Sequence, residues 1–325
     1  MWIISSLTTA KTPTLVALGN FDGIHRGHRK VIQPILPDSE FSLSSCLEKV
    51  FPTVVTFSPH PQEFFTGQCR TLLTPLAEKV QHLESLGVEQ LVLLPFDEAL
   101  ASLTPQEFVE KILVQQLQAK QVSVGQNFRF GKCRAGTTDD LKSIAAQHNV
   151  TVSIAPLYTT VGERVSSSAI RHALESGNPH QAAQLLGRPY ALVGEVVQGR
   201  QLGRTIGFPT ANLALPGEKF LPQKGVYRVS VKGLTVEGFG VMNIGDRPTV
   251  TNQEPPKPTV EVYLLDWSGD LYGQTLTVEL ESFLRPEQKF ASLDDLKAQI
   301  QLDCQVARRE WAEAALNGDR PAAVS

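Results

Sequence analysis

The chain has 325 residues, of which 42% are hydrophobic and 19% are charged, and its formal net charge at pH 7 is −3. Single hydrophobic cores rarely grow beyond about 250–300 residues, so this length predicts two domains. The slightly negative charge gives no general attraction to nucleic acid or to an anionic membrane, so any anion-binding site must be local.

The cysteines and the amino-terminal sequence indicate the cellular compartment. Four cysteines are scattered along the chain without Cys-x-x-Cys spacing, which fits neither a disulfide framework nor a zinc site and suits a reducing compartment. The first residues lack the basic start and apolar core of a signal peptide, and no run approaches the roughly 20 apolar residues of a membrane span. We therefore expect a cytoplasmic protein.

The first half of the chain alternates strand-like runs with helical patterns. The helix signals include an N-cap at Thr74 followed by Pro75, a capping box from Thr104 to Glu107, and a helix over 139–148. Such alternation is typical of a doubly wound parallel sheet, whose ligands bind at the carboxyl ends of its strands. Strands are predicted over 15–18, 53–57, 90–94, 121–124 and 151–154.

The sequence from Gly19 to His28, Gly-Asn-Phe-Asp-Gly-Ile-His-Arg-Gly-His, follows the first of these strands. Gly19 and Gly23 permit a tight turn, and Gly27 leaves room for a phosphate at the start of a helix. His25 and His28 are three residues apart, so both can point to the same side of that helix. These features predict a site for nucleotide phosphates; a surface turn with two incidental histidines is the alternative.

A glycine-rich segment follows the fourth strand. Five residues, not four, separate Gly125 from Gly131, and Cys133 stands where a P-loop needs Ser or Thr, so the segment is not a P-loop. For Phe128 and Phe130, packing in the core and stacking on a ligand are both open.

A helix with hydroxyl groups at its start is predicted beyond the last strand of the first half. Ser166 or Ser167 would be its N-cap, Arg171 lies in its first turns, and it ends at Gly177. Hydroxyls, the N-terminal dipole and an arginine would form a second phosphate-binding corner.

The second half of the chain has a different pattern. Short strand-like runs punctuated by Gly and Pro predict a small antiparallel barrel. Ser292 then caps a helix with apolar Leu293, Leu296 and Ile300 that runs toward Trp311. We expect domains over 1–187 and 188–317 and a frayed tail over 318–325, with barrel strands over 191–197, 225–231, 235–241, 260–265 and 276–280.

The barrel's polar groups are concentrated between Gly199 and Leu213. Three glycines and Arg204 in this stretch can cradle phosphates through backbone N–H groups. Thr210 and Asn212 share one face if the chain is extended, and neutral oxygen ligands of this kind suit Mg²⁺ bound to nucleotide phosphates. A glycine-rich hairpin without ligands is the alternative.

Several of these sequences carry a family resemblance that covers about residues 13–310. The sequence at 19–28 resembles the motif of the HxGH nucleotidylyltransferases. Its particular residues resemble the adenylyltransferase half of bifunctional bacterial riboflavin kinase/FAD synthetases. The sequence at 203–212 resembles the riboflavin kinase motif GRxxGFPTAN. Further matches in the family's order lie at 240–249, 260–266, 270–273 and 285–290.

The resemblance implies a Rossmann-like HxGH nucleotidylyltransferase domain followed by a riboflavin kinase barrel with a C-terminal helix. The barrel would transfer the γ-phosphate of ATP to riboflavin, with Glu261 as the general base and Thr210 and Asn212 as ligands of Mg²⁺. The first domain would then adenylylate FMN with a second ATP, giving FAD and pyrophosphate, while His25 and His28 stabilise the charge on the triphosphate.

The resemblance also implies binding residues for both reactions. In the adenylyltransferase they are Gly19, Asp22, Gly23, His25, Gly27, His28, His60, Asn127, Ser167, Ser168 and Arg171. In the kinase, ATP and flavin would be bound by Gly199, Gly203, Arg204, Gly207, Phe208, Pro209, Asn243 and Arg285.

The sequence departs from the family in two places. Asn127 stands where many relatives carry Asp, and the proline-rich stretch 251–258 matches no motif; the Ser-rich stretch 37–49 is predicted to be a loop. The expected partners are riboflavin, FMN and ATP, with no nucleic acid and no membrane, and the oligomeric state is left open. The alternatives are a single-activity adenylyltransferase whose barrel only binds flavin, and a non-catalytic flavin sensor. The intact motifs argue against both, and no basic recognition helix supports the sensor.

Overall fold

The computed structural model of the protein describes residues 1–37, 49–160, 162–199, 203, 206–246 and 258–316. The chain forms two compact units, Met1–Ser167 with Glu218–Phe220, and Ser168–Gly217 with Leu221–Ser325. The predicted domain boundary at residues 187/188 stays a prediction. Arg204, the tail 318–325, and nearly all of the two predicted loops, 37–49 and 251–258, lie outside the described residues.

A parallel sheet of six strands forms the centre of the first unit. The strands are β1 (Trp2–Ile4), β2 (Thr14–Leu18), β3 (Phe51–Ser58), β4 (Gln90–Pro95), β5 (Ala119–Gly125) and β6 (Thr151–Ala155). Their order across the sheet is β1-β4-β3-β2-β5-β6. Each of the five predicted strands is present, and the edge strand β1 was not predicted because three residues are too few for a periodic pattern.

Both faces of this sheet are buried. Successive side chains of a strand point to opposite faces, and on β2 Leu15 and Ala17 join one hydrophobic cluster while Val16 and Leu18 join another. This is the packing of a doubly wound sheet covered on both sides. The helices of the unit are Arg26–Ile32, Pro61–Thr66, Leu76–Ser85, Glu98–Ser102, Pro105–Glu107 and Thr138–Ala146, and a short hairpin joins β7 (Thr159–Thr160) to β8 (Glu163–Arg164).

Two helix starts show where local sequence patterns hold and fail. The capping box from Thr104 to Glu107 is confirmed, but the helix continues as a π-helix, Phe108–Gln116. The predicted N-cap at Thr74 is wrong, because the helix Leu76–Ser85 begins after Pro75 without a side-chain cap. The Thr74 hydroxyl instead accepts a hydrogen bond from a distant backbone N–H, as described below.

The second unit contains a closed antiparallel barrel of six strands, and the helices Ser167–Glu175 and Pro179–Leu186 precede it. Its strands are β9 (Tyr190–Val197), β10 (Ala211–Ala214), β11 (Gly225–Lys232), β12 (Glu237–Asp246), β13 (Pro258–Leu264) and β14 (Thr275–Pro286). Their order around the barrel is β10-β13-β12-β11-β14-β9. The predicted α/β domain followed by a barrel is confirmed, although the four-residue strand β10 was missed.

The C-terminal helix Leu293–Leu316 packs on the outside of the barrel. Its buried Cys304 and Ala307 join Val226 and Val241 in one hydrophobic cluster. The predicted Ser292 cap is confirmed, since its hydroxyl accepts from the Asp295 N–H at 3.1 Å. Leu293, predicted on the apolar face, is 65% exposed, because the contact with the barrel begins further along the helix. No helix in the described part of the chain is long and apolar enough to span a membrane.

Candidate functional sites

The turn after β2 has a strained backbone held by the core. Phe21 and Ile24 both adopt left-handed φ values, 48° and 42°, which are unfavourable for bulky or β-branched residues. Their side chains are 1% and 0% exposed in the core beneath the turn. Such a conformation persists only where surrounding packing over-determines it, and it is common at ligand sites.

His25 and His28 lie together at the start of the helix Arg26–Ile32, as predicted. His25 is the N-cap residue, and its Nδ1 accepts from the His28 N–H at 3.2 Å, so its proton is on Nε2. The two rings stack with centroids 3.6 Å apart. A Cβ on Gly27 would lie 3.2 Å from the His25 ring, so the glycine also makes room for this stack. The Nδ1 of His28 is buried without a hydrogen-bond partner among the described residues.

Three side chains hold the backbone of the same turn. The Thr74 Oγ1 accepts from the Gly23 N–H at 2.9 Å, and the Thr74 N–H donates to Asp22 Oδ1 at 3.2 Å. Ser167 donates from its hydroxyl to the Asp22 carbonyl at 2.8 Å, and Lys79 donates from Nζ to the Asn20 carbonyl at 3.0 Å. Thr74, Lys79 and Ser167 therefore hold the turn, and the Asp22 carboxylate links it to the backbone at Thr74.

Ser168 and Arg171 belong to the second compact unit. Their place at the nucleotide site stays a prediction.

The His28 ring is neutral in the folded protein at neutral pH. Burial, the neighbouring His25 and the charge of Lys79 lower the pKa of His28 well below its ordinary value. In the unfolded chain a histidine takes up a proton near about pH 6.5, so between that pH and the lowered pKa the unfolded state binds more protons. Stability is therefore complete above this window and falls as the pH is lowered through it.

When the pH is lowered from about 7 to 5, we expect the melting temperature of His28→Gln to fall less than that of the unsubstituted protein. The variant lacks this proton uptake by the unfolded chain. Thermal melts at several pH values measure the slope. The His180→Gln variant, which replaces an exposed histidine elsewhere, is measured beside it for comparison. Equal slopes for the His28 variant and the parent would contradict the prediction.

A cavity of about 1160 Å³ in the first unit brings together three predicted residues, Gly19, His60 and Asn127. His60 is the N-cap of the helix Pro61–Thr66, and its Nδ1 accepts from the Gln62 N–H at 3.0 Å. Its Nε2 lies 3.3 Å from Arg70 Nη1. Burial and the charge of Arg70 lower the pKa of His60, so this ring is also held neutral.

Aromatic rings form much of the wall of this cavity, and most of them were not predicted. Phe130 is 4% exposed and part of the core, whereas Phe128 is half-buried and lines the cavity with its ring stacked 5.7 Å from that of Phe130. Their positions in the sequence could have predicted this wall. Several of the phenylalanines lie at or just beyond the carboxyl ends of β3, β4 and β5, where ligands bind in such sheets. The rings not predicted are Phe57, Phe64, Phe65, Phe96 and Phe108.

The barrel register places three predicted polar residues side by side. Glu261 on β13 is paired with Asn212 on β10 and with Asn243 on β12. Cross-strand partners point to the same face, and all three are half-buried, whereas Val260 and Val262 are buried on the opposite face of β13. The carboxylate and the two amides therefore form one polar row on the outside of the barrel.

Glycines shape the approach to this row. The Gly203 carbonyl accepts from the Ile206 and Phe208 N–H groups at 3.2 and 2.8 Å, and a Cβ on Gly203 would collide with the Phe208 carbonyl. A Cβ on Gly199 would overlap the side-chain amide of Asn212. Gly203 is thus required by close packing against the backbone, whereas a side chain at position 199 would have to displace the Asn212 amide.

Thr210 immediately precedes β10 and lines a cavity of about 370 Å³ in the second unit. Pro209 lies beside it, and Trp267 and Tyr272 supply aromatic surface. Phe208 lies outside this lining, with its ring edge-on to Tyr263 at 5.4 Å. Thr210 and two aromatic side chains therefore share this cavity.

Arg285 has a structural partner. Its guanidinium donates to both carboxylate oxygens of Asp303 on the C-terminal helix, at 2.8–3.1 Å. This bidentate pair fixes the helix to the end of β14, so the predicted role of Arg285 in binding ATP or flavin stays a prediction.

Two neutral donors beside the Glu261 carboxylate fit a magnesium ion. The Thr210 hydroxyl and the Asn212 amide oxygen are hard oxygen donors, which Mg²⁺ prefers, and a nucleotide would supply phosphate oxygens. Asn212 and Glu261 are cross-strand partners, and Thr210 is two residues from Asn212.

Comparison with known proteins covers both units. A family model described as FAD synthetase matches residues 7–169, and one described as riboflavin kinase matches residues 186–311. The bifunctional riboflavin kinase/FMN adenylyltransferase of Escherichia coli K12 is 41% identical over 297 residues, which cover 90% of this chain and 91% of that protein. The protein of the same name from Bacillus subtilis 168 is 36% identical over 308 residues, covering 92% and 93%.

A solved structure has the same fold along nearly the whole chain. It is described as a macrolide-efflux protein from Streptococcus pneumoniae, and it is 32% identical with a TM-score of 0.82, covering 94% of this chain and 98% of that one. Its description names an activity different from the one that the two family models and the sequence relatives share. The chain belongs to the bifunctional riboflavin kinase/FMN adenylyltransferase family.

Proposed function

We propose that the protein makes both flavin cofactors, with riboflavin phosphorylated at the polar row of the barrel and FMN adenylylated at the turn that carries His25 and His28. The observation that carries the proposal is the register of the barrel, which sets Glu261 beside Asn212 and Asn243. The pairing supports the proposal because it holds a carboxylate, a possible proton acceptor, beside two amides and close in the sheet to Thr210.

In the kinase reaction the Glu261 carboxylate takes the proton from the terminal ribityl hydroxyl of riboflavin. The hydroxyl oxygen then attacks the γ-phosphorus of ATP, the bond to the β-phosphate oxygen breaks, and ADP leaves. Thr210 and Asn212 would hold Mg²⁺, which when bound offsets the charge of the phosphates. The rings beside Thr210 would bind an aromatic part of a substrate.

In the adenylyltransferase reaction a phosphate oxygen of FMN attacks the α-phosphorus of ATP and pyrophosphate leaves. The attacking phosphate is already an anion, so no protein base is needed, and catalysis depends on positioning and electrostatics. Neutral His25 and His28 donate from ring N–H groups to the triphosphate oxygens at the positive end of the helix Arg26–Ile32. Arg171 would steady the departing pyrophosphate. A cytoplasmic location is part of the proposal.

A time course tests the proposal. Purified protein is incubated with riboflavin, ATP and Mg²⁺, and the flavins are separated by chromatography. FMN that appears first and is followed by FAD is the expected result. FMN that accumulates without FAD would limit activity to the barrel, whereas FAD formed only from added FMN would favour a single-activity adenylyltransferase.

The phenylalanine-lined cavity of the first unit would hold the flavin ring of FMN. We expect Phe128→Ala to raise the KM for FMN about tenfold, since an aromatic stacking contact is worth about 1–3 kcal/mol. Because the Phe128 side chain is half-buried, the melting temperature of the Phe128→Ala variant should stay close to that of the parent. Phe130→Ala is the contrast: its ring is in the core, so it should cost about 3–5 kcal/mol of stability. An unchanged KM in the Phe128 variant would remove the ring from the binding site.

A further inference from the structure

The segment Glu218–Phe220 belongs to the first unit, although it follows β10 in sequence. The Leu72 N–H donates to the Glu218 carbonyl at 2.6 Å, and the Phe220 N–H donates to the Leu72 carbonyl at 2.8 Å. Lys219 and Leu72 are therefore paired as in a parallel bridge. The backbone just before Thr74 is held by residues that lie more than a hundred positions later in the sequence.

The side chain of Lys219 is buried in this contact, 4% exposed. Its Nζ donates to both carboxylate oxygens of Glu78, at 2.8 and 2.6 Å, and to the Leu73 carbonyl at 2.9 Å. Glu78 is 6% exposed. A buried ion pair is weak evidence for a contribution to stability, because desolvation offsets the attraction between the charges. We therefore looked for a role of the Lys219–Glu78 pair other than stabilising the fold.

Two short routes lead from Lys219 to the turn of the adenylyltransferase site. The first runs through Leu73 to Thr74, whose N–H and Oγ1 bond to Asp22 and Gly23. The second runs through Glu78 to the adjacent Lys79, whose Nζ donates to the Asn20 carbonyl. Both routes end on the backbone or side chains of residues 20–23, and each contains only two residues between Lys219 and the turn.

We propose that Lys219 is a positioning residue for FAD formation, which fixes the nucleotide turn through Leu73 and Glu78. Lys219 lies within the segment matched by the riboflavin kinase model, yet the groups it holds in place serve the other reaction. The inference rests on the proposed role of the turn in binding ATP. It predicts that a substitution in the kinase-matched part of the chain affects adenylylation selectively.

The experiment uses three variants of the full-length protein. Lys219→Met removes the ammonium group and leaves the Glu78 carboxylate buried without it. The double variant Glu78→Gln/Lys219→Met removes both charges and so relieves the buried carboxylate. Lys232→Met is the matched control, because that lysine makes an exposed pair with Glu279 in the barrel. For each, FMN formation from riboflavin, FAD formation from supplied FMN, the KM for ATP and for FMN, and the melting temperature are measured.

We expect Lys219→Met to lower kcat/KM for FAD formation about tenfold to hundredfold, because small displacements of a binding group are costly in rate. The KM for ATP should change more than the KM for FMN, whose ring would lie against the phenylalanines of the cavity. FMN formation should stay within about twofold of the parent. The double variant should regain melting temperature while FAD formation stays low, and the control should match the parent in both activities.

Three results would overturn the inference: a double variant that makes FAD at the parent rate, a Lys219 variant that loses both activities in equal proportion while folded, or one that loses neither. If Lys219→Met does not fold, the double variant decides. Unsubstituted protein that makes no FAD would contradict the proposed function itself, so the two failures are distinguishable.

Discussion

His28→Ala is expected to abolish FAD formation while riboflavin is still converted to FMN. The His28 ring stacks on His25 at the start of a helix, with a buried Nδ1 that has no partner among the described residues. Preorganised donors aimed at developing charge are worth about a hundredfold to a thousandfold each in rate. Loss of the ring also removes the support of His25, so the combined effect should exceed the value for one donor.

The measurement is FAD formed from supplied FMN and ATP, and FMN formed from riboflavin, in the same preparation. His180→Ala, on an exposed position of another helix, is the control and should retain both activities. If a folded His28 variant loses the two activities equally, the division of the reactions between the two sites is wrong.

Glu261→Gln is expected to stop FMN formation and leave adenylylation of supplied FMN intact. Glutamine keeps the size of the side chain and its pairing with Asn212 and Asn243 but cannot take a proton from the ribityl hydroxyl. General bases contribute about a hundredfold to ten-thousandfold, so the rate of phosphorylation should fall by that amount.

Glu195→Gln provides the control for this variant, because Glu195 is an exposed glutamate on β9 of the same barrel. Both proteins should melt at nearly the same temperature. A Glu261 variant that still phosphorylates riboflavin at the full rate would exclude this carboxylate as the base, and one that also loses adenylylation would indicate a wider structural effect.

Much of the architecture was predictable because its determinants are local in sequence. The five longer strands of the first sheet and the capping box at Thr104 follow from short-range patterns, as does the Ser292 cap. β10 was missed because its four residues adjoin a glycine-rich turn that breaks the alternation. The N-cap at Thr74 was wrong because the local rule does not include Gly23, whose N–H is the group that binds this hydroxyl.

The parts of the candidate sites that could be predicted are also those whose residues are close in sequence. His25, His28 and their helix start are neighbours in sequence, so their geometry was predictable. The row of Asn212, Glu261 and Asn243 depends on strand register, which no single segment encodes. The contact of Lys219 with Glu78 joins residues 141 positions apart, and only the folded chain brings them together. The assignment of individual residues to substrates stays a prediction.

The left-handed residues Phe21 and Ile24 of the turn after β2 restrict how this protein can be engineered. Replacing a residue with positive φ by glycine relieves backbone strain, because glycine tolerates that conformation. At Ile24 the same substitution would delete a side chain that is 0% exposed and free the backbone beside His25. Designers who seek a more robust catalyst should therefore leave Phe21 and Ile24 unchanged and alter residues elsewhere in the chain.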